Sequence, residues 1–280
     1  MGARRDAREA LVAAGLRPQK RWGQHFLCDT AVAHRIVDTA AVGPTSSVLE
    51  IGPGLGALTD ELAARAGRLW LIEIDRGLAA RLTERYADNA RVRVVVGDVL
   101  ERPLAELVPD PEVTVVANLP YNIATEIVFR LLDARRQFPR AVLMLQREVA
   151  RRFVARPGAD DRSAAAVMVQ TYAEVRIAFG VSRRSFLPPP KVESAVVDIR
   201  WTPAARVDVA DAALHRAVVR AAFGQRRKML RNALGALAHD RGLDAAALAA
   251  ALARAGVSGT ARAETLELDD FARIAGALGA

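Results

Sequence analysis

From Ser47 to Trp201 the chain alternates short runs rich in Val, Ile and Leu with longer segments whose apolar residues recur three or four positions apart. Seven runs have strand character: "SVLEIG", "RLWLIEID", "VRVVVGD", "VTVVANLP", "AVLMLQ", "EVRIAFGV" and "ESAVVDIRW". Segments such as "ALTDELAARAG" and "TEIVFRLLDARR" lie between the first five and carry helical spacing. Near-continuous apolar strands alternating with helices predict a doubly wound α/β sheet, because crossover helices cover both faces of parallel strands. "ESAVVDIRW" alternates inward and outward positions more than the central runs do, the pattern of a partly antiparallel edge. The fold expected is a seven-stranded Rossmann-like sheet, mostly parallel with an antiparallel edge strand. After Pro203 the strand runs stop, and Asp208 to Ala280 reads as short helices separated by "FGQ", "DRGL" and "AGVSG". Three parts are therefore expected: a basic N-terminal arm over 1–28, an α/β domain over 29–203 and a small all-α C-terminal domain over 204–280.

The ends of these strands carry polar chemistry. Gly52, Gly54 and Gly56 follow the first strand, where the lack of a Cβ lets backbone turn sharply and approach a ligand. Gly52, Gly54 and Ala57 also satisfy the G-x-G-x-x-G/A dinucleotide pattern, so this loop leaves a nicotinamide cofactor open. Glu73 ends the second strand about 20 residues further on, where an acid accepts hydrogen bonds from the ribose hydroxyls of an adenosine-bearing cofactor. Asp98 ends the third, where its carboxylate would receive an adenine amine, and Asp75 is placed to cap the next helix. With Glu50, three successive strands end in acids, which is more than N-caps and solvated turns would require.

The fourth strand separates the cofactor classes. A hydride enzyme needs a general acid or base, and no His follows a strand end here. Instead the strand runs into "NLPYN". The N6 amine of adenine is a poor nucleophile because its lone pair is delocalised into the ring. Acceptors at the Asn118 side-chain oxygen and the Leu119 carbonyl would favour a pyramidal nitrogen with its lone pair aimed at a methyl donor. Pro120 stiffens that geometry, and Tyr121 offers a ring on which an extruded base can stack. Transfer would then be an in-line displacement driven by positioning and electrostatics, with no metal.

The chain has 280 residues, 51% of them hydrophobic, enough for a full core. Its longest apolar run, Ala245 to Ala253, is far short of the roughly 20 residues of a membrane span, and the Arg-rich start has no signal-peptide pattern. These readings point to a cytoplasmic protein. Cys28 is the single cysteine and the four His are scattered, which excludes an intrachain disulfide and argues against a zinc site. The net charge of +8 suits a polyanionic partner, but Lys20, Lys191 and Lys228 are the only lysines among 40 basic residues. Such an Arg and Ala bias also follows from GC-rich codons, so placement has to decide. Arg216, Arg220, Arg227 and Arg231 share one helical face if Gly224 does not break the helix, with Leu230, Ala233, Leu234 and Leu237 opposite. Lys228 adds to this stripe, which fits phosphate contacts that position RNA.

Taken in order, "KRWGQHFL", "EIGPGLGALT", "EID", "GD", "NLPYNIAT", "LQREVARR", "SFLPPPKVESAV" and "AFGQRRKMLRNAL" make the chain resemble the ribosomal RNA adenine N6-dimethyltransferase family from Lys20 to Leu234. The resemblance, strongest to its bacterial small-subunit members, implies S-adenosylmethionine as cofactor. It implies double methylation of two adjacent adenosines in the 3′-terminal hairpin of 16S rRNA, in the small ribosomal subunit and linked to subunit biogenesis, by a monomer needing no metal or membrane. On this reading 29–203 is the methyltransferase domain, the 1–28 arm includes a cofactor lid, and the C-terminal domain contacts RNA. His25 and Leu27 of the lid would cover the cofactor, and Gly52, Gly54, Glu73, Asp98 and Asn118 would hold the rest. His25 departs from the Asn often found there, although an imidazole still donates a hydrogen bond to the methionine portion. Phe186 would form the second wall of the base slot opposite Tyr121, and Lys191 would contact phosphate. Two other functions stay open: a 23S rRNA adenine N6-methyltransferase conferring macrolide resistance, which shares the glycine and proline loops, and a noncatalytic ribosome assembly factor.

Overall fold

The computed structural model of the chain describes residues 24–120, 123–225 and 227–279. The arm through residue 23 and Tyr121 therefore lie outside the described residues. The chain divides into two compact units, one formed by Met1–Ala150 with Glu174–Pro203 and the other by Arg151–Ala173 with Ala204–Ala280.

The first unit is built on β1 (Phe26–Leu27), β2 (Ser47–Ile51), β3 (Arg68–Glu73), β4 (Val92–Val96), β5 (Thr114–Asn118), β6 (Arg140–Gln146), β7 (Ala173–Val181), β8 (Phe186–Leu187) and β9 (Ser194–Trp201). Seven strands form one sheet in the order β4-β3-β2-β5-β6-β9-β7. The pairings β2 with β3, β3 with β4, β2 with β5 and β5 with β6 are parallel, and β6 with β9 is antiparallel. The chain thus moves outward from β2 to β4, then returns to lay β5 on the other side of β2. That reversal leaves a crevice at the carboxyl ends of β2 and β5, the place where open α/β sheets bind ligands.

The alternation expected of β9 is not how it is used. Ser194 through Ile199 are buried without interruption, because β9 lies between β6 and β7 rather than at the sheet's edge. The outermost strand on this side is β7, and its exposed positions confirm that one flank faces solvent. The polar residue responsible for the apparent alternation, Asp198, is buried and ion-paired with Arg140 and Arg176.

Helix Thr30–Ala40 starts where Asp29 accepts the Val32 N–H at 3.2 Å, and helix Arg76–Arg85 where Asp75 accepts from Gly77 and Leu78. The core between helices and sheet includes Leu27, Ile36, Val37, Leu62, Leu69, Val116, Met144 and Phe186.

The second unit is helical, with helices Arg147–Val154 in part, Ala164–Tyr172, Ala212–Gly224, Ala245–Arg254 and Leu268–Gly279 among its elements. Residues 151–173 belong here and not with 29–203 as the sequence pattern suggested. The reason is hydrogen bonding: the Gly158 N–H donates to Glu264 O at 2.7 Å, and Arg206 N–H to Thr171 O at 2.7 Å. Arg206 Nη1 adds a bond to Ala173 O at 3.0 Å. Inside this unit the buried guanidinium of Arg162 donates to Ala155 O and to Gln170 Oε1 at 2.8 Å. No helix among the described residues is long and apolar enough to cross a membrane.

His215, in helix Ala212–Gly224, is 0% exposed, and neither ring nitrogen has a hydrogen-bond partner. Burial pushes its pKa below the ordinary histidine value. As pH falls below about 6.5 the unfolded chain takes up a proton that the folded chain resists, so stability is full above that range and declines beneath it. Urea titrations at pH 7.5 and 5.5 should show a loss on the order of 1 kcal/mol from this residue, absent in His215→Leu. An identical pH dependence in both proteins would remove His215 as its source.

Candidate active site

A cleft of about 750 Å³, open to solvent, lies at the carboxyl ends of β2, β3 and β5. Its walls come from the glycine loop, Glu50, Glu73, Asn118 to Pro120, and Gln24 to Leu27.

The loop takes its shape from backbone conformations that suit glycine. Gly52 has φ +66°, and no atom stands within 4 Å of where a Cβ would be, so a side chain there would intrude on the cleft. Gly54 has φ +58°, and its Cβ would stand 3.1 Å from a Phe26 ring carbon. Glu73, 3% exposed, locks the loop to β3: one carboxylate oxygen accepts the Gly54 N–H at 3.0 Å, and the other accepts the Asp75 N–H at 2.9 Å. A carboxylate has about four acceptor directions, so these bonds leave capacity for a ligand's hydroxyls. Burial raises the Glu73 pKa, while the N–H bonds oppose that rise.

Glu50 also faces the cleft. It accepts from the Thr59 hydroxyl at 2.7 Å, and burial, aided by the nearby Glu73, pushes its pKa up to about 8. At neutral pH it is therefore largely a neutral acid. The sequence marked Glu50 as one of three acids at strand ends but assigned it no role; its position directly after the apolar pair Val48–Leu49 in a buried strand was the available signal.

Asn118 ends β5 in the cleft wall. Its Nδ2 donates to the His25 carbonyl at 3.1 Å, which fixes the amide plane and makes Oδ1 the acceptor end. Beyond the strand, the Ile123 N–H donates to Pro120 O at 3.2 Å. His25 Nδ1 lies 2.8 Å from Pro188 O. A carbonyl only accepts, so this nitrogen carries the proton, and the hydrogen bond expected to reach a ligand from it is already made.

The lid itself is a strand pair that sequence periodicity cannot reveal. β1 and β8 pair antiparallel, Phe26 with Leu187 and Leu27 with Phe186. The contact continues through Cys28 N–H on Ser185 O at 2.8 Å and the Ser185 hydroxyl on Asp29 at 2.9 Å. Two-residue strands leave no alternation to detect. Their pairing joins Phe26 and Leu27, which line the cleft, to Phe186 and Leu187.

The structure corrects the role expected of Phe186. Its ring is 0% exposed within the main hydrophobic core, which also contains Leu27, so it presents no open face to a base. The aromatic that approaches the glycine loop is Phe26, packed with Leu55, Leu78 and Leu187. Asp98, half-buried two residues beyond the end of β4, accepts the Leu100 N–H at 2.8 Å. Lys191 is exposed beside the proline segment. Arg220, Arg227, Lys228 and Arg231 are exposed too, yet they do not share one helix face. Helix Ala212–Gly224 ends at its glycine, and helix Leu230–Ala233 begins afresh after Met229. Leu230, Ala233 and Leu234 are buried as expected.

A family model described as ribosomal RNA adenine dimethylase matches residues 15–278. The chain is 45% identical to the ribosomal RNA small subunit methyltransferase A of Moorella thermoacetica, over 93% of this chain and 92% of the relative. It is 44% identical to the protein of the same name from Syntrophotalea carbinolica, over 92% and 96%. Among solved structures, a dimethyladenosine transferase from Plasmodium falciparum superposes with TM-score 0.76 at 25% identity, covering 89% of this chain and 96% of that one. The 23S rRNA methyltransferase ErmE gives 0.70 at 31% identity, covering 91% and 100%.

Proposed function

The chain belongs to the ribosomal RNA adenine dimethylase family, and from that premise we propose that it transfers two methyl groups to N6 of each of two adjacent adenosines in the 3′-terminal hairpin of 16S rRNA, acting as a cytoplasmic monomer on the small ribosomal subunit. The observation that carries this reading is Asn118-Leu119-Pro120 in the wall of the same cleft as the glycine loop and Glu73.

The residues fit S-adenosylmethionine, which supplies an electrophilic sulfonium methyl when bound. Gly52 leaves open the space a Cβ would take, and Glu73 keeps acceptor capacity for ribose hydroxyls. Leu27 and His25 belong to the lid, and Asp98, two residues beyond the β4 position paired with Glu73, is assigned to the adenine amine. The acceptor step belongs to Asn118 Oδ1 and the Leu119 carbonyl, which take hydrogen bonds from the target N6 and direct its lone pair. Pro120 limits the backbone's freedom to move them. Exclusion of water by the β1–β8 lid strengthens these bonds. Tyr121 is assigned to stacking on the base. Lys191, Arg220, Arg227, Lys228 and Arg231 are assigned to phosphates.

The rival reading, methylation of 23S rRNA as the name of the structural neighbour ErmE suggests, is not favoured, because relatives at 45% and 44% identity are named small subunit methyltransferases. The two separate when labelled S-adenosylmethionine is offered with unmethylated 30S particles and, in parallel, with protein-free 23S rRNA. Label should enter the 30S particles; label confined to 23S rRNA would overturn the 16S assignment.

A further inference from the structure

The edge of the sheet opposite the cleft, where the parallel strands begin, carries an arginine cluster that methyl transfer does not use. Arg140 opens β6, and the antiparallel register sets Arg200 of β9 directly across from it. Like charges in that position destabilise a strand pair. Asp198, across from Val142 on the same face and 1% exposed, stands between them and also pairs with Arg176 of β7. One carboxylate therefore serves three guanidinium groups.

These arginines are not equivalent. Arg140 is consumed by structure: Nε donates to Asp198 Oδ1 at 3.0 Å, Nη1 to Ala40 O at 3.0 Å, and Nη2 to Thr39 O. Its last two bonds cover the carbonyl end of helix Thr30–Ala40, which would otherwise repel an anion. Arg176 and Arg200 touch Asp198 at 2.8 and 3.6 Å while their side chains remain 63% and 57% exposed. Arg35 sits over Phe179, its guanidinium carbon 4.0 Å from the ring centroid, a cation–π contact that holds the group at the hollow. The four arginines line a hollow of about 860 Å³. Asp38, the acid on its rim, is engaged by Arg65. Neutralising Asp198 needs one arginine; the surplus faces solvent.

We propose that this hollow is a second RNA-docking surface, where Arg35, Arg176 and Arg200 contact backbone phosphates of the ribosomal RNA substrate while its target adenine enters the cleft at the other edge. The proposal rests on the rRNA methyltransferase reading. The hollow is wide and open, with donors spread over two strands and a helix, as a polymer with phosphates at intervals requires. An isolated ion would want enclosure. Guanidinium forks suit such phosphates, and contacts of this kind set position without reading sequence.

The test measures labelled-methyl transfer to unmethylated 30S particles across a series of KCl concentrations. It compares the natural protein, Arg176→Gln/Arg200→Gln, and Arg35→Gln, whose side chain lies outside the Asp198 network. The double variant should raise KM for the particle about tenfold with kcat nearly unchanged. Its dependence of log(1/KM) on log[salt] should flatten by about 0.7–0.9 per lost phosphate contact. Arg35→Gln should show about half that effect. Unchanged KM and salt slope in both variants, with the natural protein active, would overturn the docking surface alone. No transfer by the natural protein would overturn the rRNA reading instead. Inorganic phosphate that binds the natural protein but not the double variant in calorimetry, while leaving the natural protein's KM for the particle unchanged at fixed ionic strength, would reassign the hollow to a free ion and overturn the RNA partner.

Discussion

Asn118→Ala should lower single-turnover methyl transfer by about 10²–10³-fold, the range seen when one preorganised hydrogen-bonding group is removed from a reacting centre. The side chain has two tasks on two atoms. Nδ2 holds the His25 carbonyl, and Oδ1, the acceptor end of the same amide, is the atom proposed to meet the target amine. Alanine removes the directed acceptor and frees the lid at one point, whereas the sheet, the glycine loop and Glu73 remain. The loss should therefore fall on kcat, with cofactor affinity in calorimetry changing by less than about tenfold. Transfer within a factor of three of the natural rate would refute the role given to Asn118. A variant that binds 30S particles without methylating them would also separate catalysis from any assembly function.

Glu73→Ala should abolish measurable cofactor binding, a fall of about 100-fold or more, and destabilise the first unit by about 2–4 kcal/mol. The stability term comes from the N–H groups of Gly54 and Asp75, which lose their shared carboxylate, each costing about 1–3 kcal/mol when buried without a partner. The binding term comes from the ribose acceptor and from the loop whose shape that carboxylate fixes. Protonation mimics part of this change. Because burial raises the Glu73 pKa, cofactor affinity is fully present above that raised value and is lost as pH falls through it, starting at higher pH than for an ordinary glutamate. Calorimetry across pH together with a urea titration checks both terms; tight binding by Glu73→Ala would show that the ribose is held elsewhere.

The seven sheet strands were legible because each is a run of β-branched and apolar residues, and the acids after β3 and β4 mark where each stops. Asp75 capping its helix followed from position alone. Legibility failed where a signal depends on distant partners. β1 and β8 are too short for periodicity, so the lid's pairing was invisible. Phe186 looked available because aromatic and proline residues adjoin it, yet its ring fills the core beneath the lid. β9 looked like an edge strand because Asp198 interrupts its apolar run, when three arginines drawn from other positions make that aspartate tolerable inside the sheet. The Arg216 to Arg231 stripe presumed an unbroken helix, and Gly224 ends it.

The β1–β8 pair also sets a schedule for synthesis of the protein. His25 and Pro188, joined across the lid, are 163 residues apart in sequence. A nascent chain exposed through β5 already holds the glycine loop, Glu73 and Asn118, but the backbone that must close over them has no partner until Leu187 has left the ribosome. Contacts of such sequence separation form late because their loop must be closed before they can stabilise anything. The chain therefore acquires a closed catalytic cleft only once β8 has emerged, after most of the sheet is in place.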